Sequence, residues 1–304
     1  MVLPYKCYTP LMKKVIIGLD LGGTKIAAAA ANEKGQILSE IIVPTEAQKG
    51  KDRVIHNMAR AIETLARSLK AKISCIGVGV PGPISYQTGV VINPPNLPGW
   101  KKVNLKAILT RRFRVPIHID NDANCAALGE ALFGAGKRAS DFLYITVSTG
   151  IGGGIIINRQ IYRGKDGSAG EFGHMIIDPR GYKCGCGNRG CFEAMASGTS
   201  VRTRSGEDAM AIHIKAQQGD KKALKVIKET AHYLGLGIAN LVNIFNPELV
   251  VVGGGLSNLG EMLLKPTRKE FKKYALPLPA RSVKIVRAKL RDRSGLMGAI
   301  ALCL

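Results

Sequence analysis

The sequence contains no long hydrophobic run, although 46% of its 304 residues are apolar. No segment approaches the roughly 20 consecutive apolar residues that a membrane-spanning helix needs. Residues 1–10 also lack the basic stretch followed by an apolar run that marks a targeting segment. We therefore expect a protein with no membrane partner that is located in the cytoplasm.

Cysteine is scarce. Seven cysteines are too few and too unevenly placed for a disulfide framework. Cys184, Cys186 and Cys191 form a cluster, whereas the other four are scattered. The cluster predicts a metal site rather than disulfide bonds.

Acidic residues are outnumbered two to one, with 22 Asp and Glu against 44 Lys and Arg, which gives a formal charge of +22. This excess could reflect a nucleic acid, a polyanionic substrate or a solvated basic surface. The basic residues are spread along the whole chain and do not form one arm or tail. Without an element that reads bases, we expect no specific nucleic-acid partner.

The length and the hydrophobic patterning favour a two-lobed α/β protein. Short apolar runs at 15–20, 26–31 and 37–43 predict a β-meander. Apolar residues at three- and four-residue spacing predict a helix over 52–69, and a second long helix over 223–243.

Three apolar strands run into glycine-rich turns, at 22–23, 150–154 and 253–255. Glycine lets backbone N–H groups approach a phosphate closely because no Cβ intervenes. In the segment 20–25, Asp20 could also meet Mg²⁺ through water. A Gly-Gly pair alone is equally typical of a hairpin, and neither a Walker nor a Rossmann pattern is present.

His174, Cys184, Cys186 and Cys191 follow the spacing H-x9-C-x-C-x4-C. One imidazole and three thiolates match a closed, tetrahedral structural zinc site. Because four protein ligands leave no position for a catalytic water, we expect this metal to shape a pocket and not to perform the chemistry.

Several carboxylates and an amide stand at positions that suit a binding pocket. Asp122 follows a short strand and Asn121, at the start of a predicted helix, where an Asp can be a helix cap or a catalytic base. Glu171 and Glu193 flank the predicted metal loop. Such groups grip sugar hydroxyls, although solvated surface acids are the ordinary alternative.

Taken together and in this order, these segments resemble the ROK family of sugar kinases and sugar-responsive repressors, over nearly the whole chain. The matching segments are 20–25, 96–100, 119–130, 149–154, 171–193 and 253–255. The resemblance implies two actin-like (ribonuclease H-like) α/β lobes with a sugar and ATP cleft between them. We expect residues 1–121, with a C-terminal helix at 294–304, to form the small lobe and residues 122–293 the large lobe.

The resemblance also implies roles for individual residues. Asp122 would be the general base on the 6-hydroxyl of a hexose, and ATP, Mg²⁺ and a structural Zn²⁺ would be the cofactors. The implied sugar contacts are Asn96, Asn121, Asp122, Glu171, His174 and Glu193. The implied nucleotide contacts are Asp20, Gly22, Gly23, Thr24, Lys25, Thr149, Gly150, Gly152, Gly254 and Gly255.

The family resemblance leaves the substrate open. Glucose is the leading expectation, and N-acetylglucosamine, N-acetylmannosamine, mannose and fructose are alternatives. Polyphosphate is an alternative donor to ATP. A repressor of this family carries an added helix-turn-helix region, and we expect residues 1–18, ahead of the first motif, to be too short for one. A dimer or tetramer is expected from the family.

Overall fold

The computed structural model describes residues 13–94 and 96–304. The predictions about residues 1–10 and Cys7 therefore concern positions outside the described range. The strands are β1 Lys14–Leu21, β2 Lys25–Ala31, β3 Ile37–Pro44, β4 Lys72–Val80, β5 Ile84–Ser85, β6 Val90–Val91, β7 Val103–Asn104, β8 Ile117–Asn121, β9 Phe142–Val147, β10 Ile151–Ile157, β11 Gln160–Tyr162, β12 Leu249–Gly253 and β13 Lys284–Arg287.

Helices cover and connect these strands. They are α1 Lys51–Ser68, α2 Leu105–Phe113, α3 Asp122–Phe133, α4 Phe192–Ala196, α5 Gly198–Ser205, α6 Ala209–Gln217, α7 Lys221–Phe245, α8 Glu261–Tyr274, α9 Pro277–Ser282 and α10 Ser294–Ala301. Short 3-10 turns lie at Ala47–Lys49, Phe172–His174, Gly255–Leu259 and Arg291–Arg293.

Two five-stranded sheets share one topology. In the first, the order is β3-β2-β1-β4-β8, with an antiparallel meander of β1 to β3 and with β4 and β8 parallel to β1. In the second, the order is β11-β10-β9-β12-β13, again a meander followed by two parallel strands. This duplication confirms the predicted pair of ribonuclease H-like α/β units. A small third sheet, β5-β6-β7, was not predicted.

Each large sheet has its own hydrophobic core. The core of the first sheet contains Ile17, Leu19 and Trp100, and α1 contributes Met58 and Ile62 to it. The core of the second sheet contains aliphatic residues of β9, β10 and β12 and the apolar face of α7. Helix formation in α7 follows from its apolar residues at helical spacing. The side chain of Asp220 caps its start by accepting a hydrogen bond from the N–H of Ala223.

Helices α3 and α10 join the two sheets. Helix α3 packs on β9 and β10, whereas α10 packs on β1 and β4, and the two helices pack on each other. They come so close that a Cβ on Gly298 would lie 1.6 Å from the carbonyl oxygen of Cys125. The C-terminal helix thus contacts the first sheet, although it begins in a segment that follows the second.

Glu130 fixes the segment that leads into α10. Its carboxylate is fully buried and accepts hydrogen bonds from the N–H groups of Ala135, Lys289 and Leu290 and from the hydroxyl of Ser294, at 2.6 to 3.1 Å. Four donors satisfy a buried charge that would otherwise be very costly. Helix α3 and the start of α10 are therefore held as one unit.

Two of the cysteines that the sequence left scattered form a disulfide bond. Cys75 in β4 and Cys303 after α10 are bonded, with their Cα atoms 6.0 Å apart and 228 residues apart in the chain. No local sequence signal links such distant positions, because only the packing of α10 on β4 brings them together. Cys125, Cys184, Cys186 and Cys191 form no disulfide bond within the described ranges.

The second glycine-rich segment differs in part from the prediction of a turn at 150–152 followed by a strand over 153–157. The turn ends at Gly150, and Gly152, Gly153 and Gly154 lie inside strand β10. A Cβ on Gly153 would lie 2.0 Å from the ring of Phe172, and one on Gly154 would lie 2.6 Å from the Cβ of Ala127. These glycines allow neighbouring segments to pack on the strand.

Within the described ranges, no helix is both long enough and apolar enough to cross a membrane.

Candidate active site

Asp122 is the first residue of α3, directly after β8. The helix is capped by its neighbour Asn121, whose Oδ1 accepts hydrogen bonds from the N–H groups of Ala123 at 2.8 Å and Asn124 at 3.4 Å. Asn121 also donates from Nδ2 to the carbonyl oxygen of Gly82 at 3.3 Å. Oδ1 of Asp122 also accepts a hydrogen bond from the N–H of Ala123 at 2.8 Å, so both side chains contribute to the helix start.

Asp122 lies in a cavity of about 160 Å³ that residues of the first and third glycine-rich segments also line. Asp20, from the end of β1, and Gly254, from the turn after β12, line the same cavity. Its other walls come from α3, β9 and the segment before α10, namely Ala123, Ala126, Tyr144, Thr146, Arg291, Asp292, Ser294 and Gly295. The cavity lies where the two sheets meet, so residues from both units reach one point.

The two carboxylates in this cavity have raised pKa values. Burial, together with the nearby charges of Asp20 and Glu171, raises the pKa of Asp122 to about 7. Burial also raises the pKa of Asp20 to about 6, against the lowering effect of Lys25. A carboxylate with a pKa near neutrality is suited to accept a proton from a substrate at physiological pH.

Two of the glycine-rich turns pack closely on neighbouring segments. A Cβ on Gly23 would lie 2.9 Å from the Cβ of Asn96, so the first turn packs on the loop that contains Asn96. Gly254 has a φ of +78°, and a Cβ there would lie 2.5 Å from the carbonyl oxygen of Val147. This turn requires glycine for both reasons, and it brings the third segment against the end of β9.

The remaining predicted nucleotide residues are near these contacts. Gly22, Lys25 and Asp20 line a second cavity of about 280 Å³ beside β2. The carbonyl oxygen of Gly22 accepts a hydrogen bond from the hydroxyl of Thr45 at 2.7 Å, and Thr24 is exposed. The carbonyl oxygen of Thr149 accepts a hydrogen bond from Thr199 at 2.8 Å, and Gly255 lies close to Ser148.

Glu193 links the four predicted metal ligands to the second glycine-rich turn. Its Oε2 accepts a hydrogen bond from the N–H of Ile151 at 2.9 Å, and a Cβ on Gly150 would lie 2.1 Å from that oxygen. Its Oε1 lies 4.0 Å from the Sγ of Cys184. Glu171 is exposed and immediately precedes the 3-10 turn that carries His174.

The four predicted metal ligands converge. The donor atoms of His174, Cys184, Cys186 and Cys191 all lie within 4.8 Å of one another. The Sγ atoms of Cys186 and Cys191 are 3.6 Å apart, and Nδ1 of His174 is 3.8 Å from the Sγ of Cys184. Donors that surround one tetrahedral zinc ion at about 2.3 Å are separated by similar distances. The residues therefore fit a metal ion of that size, and Nε2 of His174 is left for another partner.

Arg163 pairs with a residue beside the site, and the sequence analysis missed it. It follows β11 in the second unit, and its Nε lies 2.7 Å from Oδ2 of Asp120, whose side chain is 2% exposed. The guanidinium also lies over the ring of Tyr86, 5.1 Å from the centroid. Oδ1 of Asp120 accepts hydrogen bonds from Asn124 and from the N–H of Asn121. No sequence signal pairs positions 43 residues apart.

With the fold and the site defined, comparison with known proteins places the chain in a protein class. The sequence matches the ROK family over residues 16–304. The chain belongs to the ROK family, whose solved members of high structural similarity include sugar kinases.

Individual relatives differ in their activities. The chain is 35% identical to a glucokinase of Thermotoga maritima over 95% of this chain and 97% of that protein. A ROK family glucokinase from Streptomyces griseus, solved with glucose and AMPPNP, is 35% identical with a TM-score of 0.83 over 95% and 98% of the two chains. A putative xylose repressor of a Caldicellulosiruptor species is 36% identical over 95% of this chain but 77% of that protein.

Proposed function

We propose that this chain is an ATP-dependent sugar kinase of glucokinase type, which transfers the γ-phosphoryl group of ATP to the 6-hydroxyl of glucose. The observation that carries the proposal is the cavity that Asp122 shares with Asp20 and Gly254. A proton acceptor and two predicted phosphate-binding segments meet there, which is the arrangement that phosphoryl transfer requires. The similarity to two glucokinases supports glucose as the acceptor.

In this proposal Asp122 accepts the proton of the sugar hydroxyl as that oxygen attacks the γ-phosphorus. Its raised pKa makes it a stronger base than an ordinary carboxylate, while leaving it substantially ionised near neutral pH. The hydrogen bonds that Asn121 makes as the helix cap hold the backbone of Asp122 in place. Asn121 and Asn96 contribute polar groups for the sugar hydroxyls from the first unit.

The nucleotide would be held by the glycine-rich segments. Backbone N–H groups near Gly22, Gly23, Gly150 and Gly254 approach the phosphates, with Thr24, Lys25 and Thr149 as further donors. Asp20 would hold the Mg²⁺ ion that neutralises phosphate charge. Gly255, next to Gly254, and Gly152, inside β10, are the remaining residues that we propose to contact the nucleotide. Closure of the two units over the substrates would exclude water and limit ATP hydrolysis.

We further propose that the four-residue cluster binds a structural Zn²⁺ ion. When bound, the ion would lock the ring of His174 through Nδ1 and leave Nε2 to face a sugar hydroxyl. Glu193 would be held beside it, because it bridges from Cys184 to the N–H of Ile151. Glu171 and His174 would then face the sugar from one side, opposite Asn121 and Asp122.

The division into units, the location and the assembly state are part of the same proposal. The small unit would comprise residues 1–121 with the C-terminal helix, and the large unit residues 122–293. We propose a cytoplasmic homo-oligomer without a membrane or specific nucleic-acid partner. Light scattering of the purified protein would give its subunit number, and gel shifts with random DNA in rising salt would separate specific from charge-driven binding.

The direct test is a coupled phosphorylation assay with ATP and Mg²⁺. Glucose is compared with mannose, fructose, N-acetylglucosamine and N-acetylmannosamine, and polyphosphate replaces ATP in a second series. The proposal expects the highest kcat/KM for glucose with ATP. A repressor-like protein would bind sugar without transferring phosphate, so the absence of turnover in a sugar-binding, folded protein would overturn the kinase assignment.

Asp122→Asn tests the base within the same assay. We expect kcat to fall at least about a hundredfold while sugar binding survives, since the amide cannot accept the proton. The matched control is Asp52→Asn, whose side chain is 94% exposed in the first turn of α1. A variant at position 122 that keeps more than about a hundredth of the rate would contradict the assignment.

A further inference from the structure

A second polar cavity lies away from the proposed active site. It has a volume of about 630 Å³ and is formed by α5, α7, α8 and the loop before Cys184. None of its lining residues lines the cavity that contains Asp122. We name it the α7–α8 cavity.

The walls of the α7–α8 cavity carry an excess of positive charge. Four basic side chains face two carboxylates, namely Arg204, Lys225, Lys228 and Lys273 against Glu229 and Glu270. Glu270 is already paired, with its carboxylate oxygens 2.6 Å from Nζ of Lys273 and 3.0 Å from Nδ1 of His232. Lys228 forms no ion pair within the described part of the chain.

Arg204 is the buried member of these basic side chains. Its side chain is only 5% exposed, and its nearest carboxylate, Glu229, is 4.0 Å from Nε. Nη1 and Nη2 donate to neutral groups, the carbonyl oxygen of Met195 at 2.9 Å and the hydroxyl of Thr230 at 2.5 Å. Nε has no hydrogen-bond partner among the residues that the structure describes. A buried guanidinium so weakly compensated favours an anion in the adjacent space.

Aromatic rings form the rest of the wall. Tyr182, Tyr233 and Tyr274 line the cavity together with His232. The ring of His232 stands edge-on to Tyr233 and Tyr274, with centroids 5.1 Å and 5.8 Å away. Such a wall offers flat apolar surface and hydroxyl groups to a ring-shaped ligand.

We propose that the α7–α8 cavity binds a phosphate monoester dianion carried on a ring, as in a nucleoside monophosphate or a hexose phosphate. Arg204 and Lys228 would face the phosphate, and the tyrosines would contact the ring. The site includes Tyr182 of the metal loop but none of the four predicted metal ligands. Arg204 bonds to Met195 in α4, the helix that also carries Glu193, and the N–H of Tyr182 lies 3.4 Å from the Sδ of Met195.

Isothermal titration calorimetry of the full chain tests this proposal. Glucose and a non-hydrolysable ATP analogue are present at saturation throughout, so that the proposed active site is filled. AMP and glucose 6-phosphate are the two probes, and adenosine is the phosphate-free comparison. We expect saturable binding of one phosphorylated probe and none of adenosine, and the tighter probe identifies whether the ring is a nucleoside or a sugar.

Lys228→Glu is the site variant, and Lys222→Glu is its matched control. Both side chains are exposed on α7, but only Lys228 lines the cavity. We expect Lys228→Glu to raise the Kd by at least about tenfold, through loss of a charge-assisted hydrogen bond and addition of a like charge. The control should keep the wild-type Kd.

Absence of saturable binding at millimolar probe concentration would overturn the proposal. So would equal Kd values in Lys228→Glu and Lys222→Glu, or binding of adenosine as tight as that of AMP. The readout is binding and not turnover, so these outcomes are independent of whether the chain is a kinase.

Discussion

Arg163 and Asp120 form an ion pair of 2.7 Å between the segment after β11 and the end of β8. Asp120 is two residues before Asp122 and is almost fully buried, whereas Arg163 belongs to the second unit. One pair thus ties the strand that delivers the proposed base to the opposite sheet. The remaining oxygen of Asp120 bonds to Asn121 and Asn124, so the pair also orders the start of α3.

We expect Arg163→Ala to lower both stability and turnover. Removing one partner of a buried pair leaves an uncompensated carboxylate, which costs about 3 kcal/mol of the free energy of unfolding. Urea unfolding measures the loss, and the coupled assay measures kcat. Lys165→Ala, an exposed cation two residues away, is the control and should change neither. Equal free energies of unfolding in the two variants would show that the ion pair does not stabilise the fold.

The pH dependence of kcat/KM should reveal the raised pKa of Asp122. A carboxylate acts as a base only when it is ionised. The value of kcat/KM should therefore increase with pH and level off near pH 7, whereas a carboxyl group with the ordinary pKa of 3.8 would level off near pH 4. Along this rising limb the rate should change roughly tenfold per pH unit. Because Asp20 titrates nearby with a pKa of about 6, the limb belongs to the pair. A rising limb at pH 4 would contradict the buried environment.

The same shift predicts a stability effect of opposite sign to the activity effect. The pKa of Asp122 is higher in the folded protein than in the unfolded chain, so the unfolded chain loses its proton first as pH rises. The free energy of unfolding therefore decreases between about pH 4 and about pH 7. Asp122→Asn removes this penalty. We therefore expect its melting temperature to exceed that of the wild type at pH 8 and to approach it at pH 4, measured by calorimetry beside Asp52→Asn.

Local patterns predicted the elements well, because burial follows the spacing of apolar residues. The sequence placed β1, α1 and α7 within a few residues of their observed ends. It also grouped His174 with the three cysteines, because metal ligands on one loop are close in sequence. Gly152 was interpreted as part of the turn, although it pairs with Thr146 inside β10, because a single sequence does not show where a hairpin turn ends.

Contacts between distant segments could not be predicted. Arg163 reaches Asp120, Glu130 reaches Leu290, and Cys75 reaches Cys303 only after both sheets and α10 have assembled. Each of these pairs depends on the packing of whole elements, for which no local spacing rule exists. The shared cavity of Asp20, Asp122 and Gly254 is of the same kind, and it was expected only through the family resemblance.

Loss of the proposed zinc site should weaken sugar binding more than it alters kcat. We expect Cys184→Ser to lose bound zinc and to raise the KM for the sugar about tenfold, because His174 and Glu193 would lose their orientation. Atomic emission gives the zinc content and the coupled assay gives the KM. Cys125→Ser, a buried free cysteine outside the cluster, is the control and should keep zinc. Wild-type kinetics in a zinc-free Cys184→Ser protein would show that the cluster does not shape the sugar site.

The bond between Cys75 and Cys303 should be a measurable source of stability. It closes a loop of 228 residues, for which the chain-entropy relation gives about 5 kcal/mol relative to the reduced protein. The wild type should therefore unfold at a lower urea concentration in the presence of a phosphine reductant. Cys303→Ser should resemble the reduced wild type and be insensitive to the reductant, whereas Cys125→Ser should keep the sensitivity. Because α10 packs on both β4 and α3, a wild type whose unfolding ignores the reductant would mean that this packing alone holds α10 against β4.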